Sequence, residues 1–103
     1  ICAPPPKPPA NQLDRDGQAV LRAITLVREG RQLDQAERLL STYLERRPSG
    51  SYAEEALFFL VLARKRLGKH LEAQEAARAF VTRFPSSSRA QRLRSWLSRT
   101  RER

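Results

Sequence analysis

Two proline stops set the ground plan of this chain. Pro48 and Pro85 lie 37 residues apart, and each follows an alanine, Ala36 or Ala73, by 12 residues. At the same offset Tyr43 falls on Phe80, Leu44 on Val81, Ser49 on Ser86 and Ala53 on Ala90. A fixed period of this length is the mark of stacked supersecondary units. Proline lacks the backbone N–H and its ring clashes with the preceding turn, so it ends a helix and releases the chain for the next unit. The alanines supply small side chains where two helices must cross closely.

Between these stops apolar residues recur at helical spacing. The pattern predicts five helices, at about 13–29, 33–46, 52–67, 69–84 and 88–101. Gly30 and Gly68 end the first and third. Asp14 and Asp16 are expected in the first turn of the first helix, where negative charge complements the helix dipole. Ser51 with Glu54 forms a capping-box pattern at the third. The last helix places Ala90, Leu93, Trp96, Leu97 and Thr100 on one side, and Trp96 is expected in the core. Its other faces are almost all Arg and Ser, as a terminal helix covering the last hairpin requires. The expected fold is all-α: tandem antiparallel hairpins at about 13–47 and 51–85 with a capping helix at about 88–101, together one domain over 13–103. Residues 1–12, with five prolines in the first ten, read as an extended tether.

Composition narrows the function. The chain has 103 residues, enough for one domain. Its longest apolar run, from Ala56 to Ala63, is far short of the roughly 18 residues of a membrane-spanning helix. One Cys and one His are too few for an internal disulfide or an all-protein zinc site. There is no glycine-rich phosphate loop, and Glu54, Glu55, Glu72 and Glu75 read as solvated helix surface without a catalytic pairing. His70 is expected as a half-buried ring packing the second hairpin turn. No catalytic residue, metal or cofactor is expected. The net charge of +9 comes from 20 basic residues, only three of them Lys, against 11 acidic ones. The densest positive cluster is Arg89, Arg92, Arg94, Arg99 and Arg101.

The stretch from Ala56 to Pro85 resembles a tetratricopeptide repeat without gaps, with Leu57, Leu60, Ala63, Gly68, Ala73 and Pro85 on the repeat's pattern. Val61, Arg64 and Ala77 depart from it, which predicts looser packing or an exposed face at Arg64. The segments Arg47 to Ala56 and Phe80 to Ser86 are similar to the longer repeats of bacterial outer-membrane-assembly lipoproteins and of the periplasmic Tol–Pal cell-division coordinators. In such repeats the first helix of each hairpin lines a concave binding face. The resemblance therefore implies a partner-binding set of Glu55, Phe58, Leu62, Lys65 and Arg66, with Arg28 and Leu21 joining it through a one-residue shift in the first helix. Phe58 and Leu62 are equally readable as core.

Cys2, followed by Ala3 and the proline-rich segment, resembles the mature start of a bacterial lipoprotein, in which acyl chains on the Cys would hold the domain at a membrane. An inert thiol is the other reading, since Ile1 precedes it where a small residue is usual. The functional expectation is a non-enzymatic protein–protein interaction module, a scaffold or adaptor in a complex of the bacterial periplasm or outer-membrane periphery, binding proteins through acidic contacts. The alternative is a basic cytoplasmic protein binding nucleic acid or an anionic surface through the C-terminal arginines. Nucleic acid is the less favoured partner, because the first hairpin is rich in acidic residues. Two hairpins are fewer than the roughly three repeats that usually make a solenoid stable alone.

Overall fold

The computed structural model describes the backbone of residues 10–101 and the side chains of residues 16–99. Cys2 and most of the expected tether lie outside the described residues, as does the side chain of Arg101. Five helices follow one another: α1 (Ala10–Glu29), α2 (Leu33–Arg46), α3 (Ala53–Arg66), α4 (His70–Arg83) and α5 (Ser88–Arg101). No strand occurs among the described residues. Each helix packs on the next, and α1 also lies against α3. The result is a short solenoid of antiparallel hairpins, α1–α2 and α3–α4, closed by α5. No helix among the described residues is long and apolar enough to cross a membrane.

The 37-residue period is written into the backbone hydrogen bonds. Arg47 N–H donates to Tyr43 C=O and Phe84 N–H to Phe80 C=O, both at 2.8 Å. Gly50 N–H donates to Arg47 C=O and Ser87 N–H to Phe84 C=O. Ala53 N–H donates to Gly50 C=O and Ala90 N–H to Ser87 C=O, both at 3.0 Å. The two proline corners are thus the same turn built twice.

The glycine turns are also a matched pair. Gly30 (φ 70°) and Gly68 (φ 79°) take the left-handed conformation that a missing Cβ permits. Gly30 N–H donates to Val27 C=O and Arg31 N–H to Leu26 C=O; Gly68 and Lys69 repeat the pattern on Lys65 and Arg64. These bonds satisfy the last carbonyls of α1 and α3. Counted from the glycine, the first turn is one residue longer, and Gln32, also left-handed at φ 48°, takes up the excess before α2 begins. That extra residue explains why α1 fits the repeat only with a one-residue shift.

The core runs through both hairpins. Val20, Leu40, Val61 and Phe80 are its largest fully enclosed side chains along with Val27, and Ala36, Ala73 and Ala77 are completely buried. Val61 and Ala77 thus sit inside the core, although each departs from the repeat pattern. Arg64 is not an open face. It is half-buried, its Nε donating to Glu37 Oε2 at 3.0 Å while Lys69 Nζ reaches Glu37 Oε1 at 2.7 Å. This ion cluster ties α2 to α3 and to the entry of α4.

Four local expectations need correction. Helix α1 begins at Ala10, so it takes in residues 10–12 of the expected tether. Proline restricts the residue before it, not the one after, and nothing following Pro9 opposes a helix. Asp16 is consequently beyond the first turn; it is buried and accepts from Arg47, with Arg46 at 3.8 Å. The capping box is not formed: Tyr52, not Ser51, holds the N-cap of α3, and its N–H donates to the Tyr43 hydroxyl at 3.0 Å. Glu54 turns instead to Ser87 Oγ at 2.8 Å. Finally, His70 is exposed rather than packed into the turn, because the first positions of α4 face outward and Ala73 is the first to meet the core.

Candidate functional site: the groove between α3 and α5

Helices α3 and α5 occupy equivalent positions in successive units, one on either side of a groove of about 560 Å³. Its α3 wall is Phe58, Phe59, Leu62 and Lys65, which recur at helical spacing along one stripe. Its α5 wall is Arg92, Leu93, Ser95, Trp96 and Arg99. The groove therefore unites three residues of the expected partner-binding set with two of the expected basic patch.

The apolar floor is anchored from below. Phe58 meets Phe59 edge-on at 5.5 Å between ring centroids and lies 6.0 Å from the core ring of Phe80. Phe58 and Leu62 are half-buried, so each packs on the core and still lines the groove. Trp96 packs against the core as expected, but from its edge, as Phe58 and Leu62 do. It is half-buried at the groove wall, and Lys65 Nζ stands 4.5 Å from its ring centroid. Burial pushes the Lys65 ammonium below the ordinary lysine range, and repulsion from Arg99 pushes it further in the same direction.

One end of the groove is neutralised and the rest is not. At the start of α3, Arg89 lies over the Phe58 ring at 5.0 Å and pairs with Glu54 at 3.7 Å and Glu55 at 4.0 Å. Glu54 and Glu55 are therefore half-buried partners of α5, not solvated surface. Glu55 Oε2 is buried with no hydrogen-bond partner among the described residues. Along the rest of the groove, Lys65, Arg92 and Arg99 form no ion pair with any described residue.

The remaining expected site residues fall elsewhere. Arg28 is exposed with its guanidinium 5.7 Å from the Phe59 centroid, and Arg66 donates to Val27 C=O at 2.6 Å. Both belong to the α1 side of α3, and Leu21 is exposed on α1. The basic patch is not one surface. Arg94 lines a separate groove with Arg78, Leu97 and Ser98, and its guanidinium donates to Pro85 C=O at 3.3 Å. Helix geometry separates them: Arg92 and Arg99 are two turns apart on one face, and Arg94 points away from it.

A further groove of about 510 Å³ lies between α1 and α2, but its carboxylate, Asp16, is already held by Arg46 and Arg47. Sequence reasoning did not bring out the role of Trp96 as a groove wall. The spacing of Arg92, Trp96 and Arg99 at i, i+4 and i+7 was the signal that could have found it. Comparison of the chain with models of protein families, with curated proteins and with solved structures finds no significant match.

Proposed function

We propose that this protein is a non-enzymatic interaction module that captures a segment of a partner protein in the α3/α5 groove. The observation that carries this reading is the pairing of an apolar floor, Phe58, Leu62 and Trp96, with three cations that have no carboxylate among the described residues. Apolar burial in such a groove supplies affinity, while the charges steer the encounter and select the partner. The sequence resemblances, of the repeat and of Cys2 with the proline-rich segment after it, support placing the module in a complex of the bacterial envelope, tethered to a membrane through acylated Cys2.

Charge reversal tests the capture reading. Arg99 lines the groove beside Lys65, so it belongs with the groove variants and not with a control at the C-terminus. Lys65→Glu with Arg99→Glu should abolish partner capture from a lysate of the native host and leave the helical circular dichroism unchanged. Arg78→Glu with Arg94→Glu, on the other groove, should leave capture intact. The reverse pattern would move the binding surface to the outer face of α5. Loss of retention on a nucleic-acid column, with no captured protein in either case, would favour the basic-surface alternative.

A further inference from the structure

The α5 wall has a register. Arg92, Trp96 and Arg99 stand at i, i+4 and i+7, so they form one stripe along the helix. Seven residues at the helical rise place the two guanidinium-bearing positions about 10 Å apart along the axis. Lys65 closes the stripe from α3, its ammonium over the indole. The pattern is cation, aromatic, cation, with Leu62 and Phe58 as the apolar floor opposite.

A flat bilayer cannot follow a groove walled by two helices, and a single-stranded nucleic acid, whose bases can stack on Trp96, brings no aliphatic group for Leu62 and Phe58. A helix lying alongside α5 does both. Carboxylates at its own i and i+7 would have the spacing of Arg92 and Arg99, and apolar residues at i+3 and i+4 would fall between them, against Trp96 and Leu62. The overall charge of +9 favours such an acidic partner at long range.

We infer that the occupant of this groove is an acidic amphipathic helix of a partner protein, carrying two carboxylates two turns apart that flank an apolar pair. This rests on the capture reading above and specifies the chemistry of its partner.

Trp96 is the only tryptophan in the chain, so its fluorescence reports groove occupancy directly. The probe is a blocked, alanine-rich helical peptide with Glu at two positions seven apart and Leu at the third and fourth positions between them. Its control is an isomer of the same composition with one Glu moved to the opposite face. The in-register peptide should shift Trp96 emission saturably and bind on the order of tenfold or more tighter than the isomer. Arg92→Glu and Arg99→Glu should each weaken it by a similar factor. Equal binding of the two peptides, or stronger occupancy by a single-stranded oligonucleotide or a phosphatidylglycerol–phosphatidylcholine vesicle, overturns the inference. If Lys65→Glu with Arg99→Glu abolishes capture of the native partner while neither peptide binds, the capture reading stands and the helical pattern falls. If capture ignores those substitutions, the capture reading itself falls.

Discussion

The hydroxyl of Tyr43 occupies the space that a side chain at position 50 would need: a Cβ built on Gly50 would clash with that oxygen. One period later the same two positions hold Phe80 and Ser87. Phenylalanine has no hydroxyl, and there the second residue carries a side chain, whose Oγ accepts from Arg89 N–H at 3.2 Å and so caps α5. The two repeat units thus solve one corner in two ways, either a tyrosine with a glycine or a phenylalanine with a serine.

This pairing makes a double-mutant cycle informative. Gly50→Ala should destabilise the native protein by about 1–3 kcal/mol through overpacking. Tyr43→Phe should cost about 1 kcal/mol, because Tyr52 N–H loses its acceptor. In the Tyr43→Phe background the added alanine still meets Arg47 Cβ but should cost less, giving a coupling of about 1 kcal/mol in urea denaturation. Additive costs would show that the hydroxyl does not set the need for glycine.

The buried alanines make a second prediction. Ala36 and Ala73 are both completely enclosed, one in each hairpin. Ala73→Leu should lower stability by about 1–3 kcal/mol, and Ala36→Leu by a similar amount. An unchanged urea midpoint for either would mean that the hairpin does not close on that residue.

The Glu37 cluster predicts an acid-sensitive contribution to stability. Burial alone would raise the Glu37 carboxyl, but hydrogen bonds and charge from Lys69 and Arg64 outweigh it and hold the group below the usual carboxylate range. A carboxylate depressed on folding contributes stability that is fully present above its unfolded value and is lost as pH falls through the folded value. Glu37→Gln should therefore cost on the order of 1 kcal/mol at neutral pH and flatten this part of the decline below about pH 4.5. Parallel acid limbs for the two proteins would show that the cluster carries no linked stability.

The lysines should titrate in a fixed order. The chain has only Lys7, Lys65 and Lys69, so their Cε resonances can be followed by carbon-13 NMR. Lys65 is lowered by burial and by Arg99, whereas Lys69 is raised, first by its hydrogen bond to Glu37. Lys65 should lose its proton before Lys69 as pH rises. Arg99→Gln removes one source of repulsion and should move the Lys65 midpoint upward, while Glu37→Gln should move that of Lys69 downward. A Lys65 midpoint unaffected by Arg99→Gln would place the two cations too far apart to share the groove.

Much of this architecture is legible in the chain itself, because its signals are local. Pro48, Pro85, Gly30 and Gly68 act on their own backbone, and the apolar spacing between them needs only the helical period. The five helices, the two hairpins and the 37-residue register follow from those features, and even the polar outer faces of α5 can be read from its Arg and Ser positions. Tertiary structure decided everything that depends on which helices become neighbours. Asp16 meets Arg47 across 31 residues, Glu37 meets Lys69 across 32, and Glu54 meets Ser87 across 33. None of these pairs has a local signature, since a charged residue on a helix looks solvated until another helix covers it. The same holds for the groove: Lys65 and Trp96 each read as part of its own helix, and only the packing of α5 beside α3 leaves the ammonium over the indole, alongside two arginines that have no carboxylate partner among the described residues.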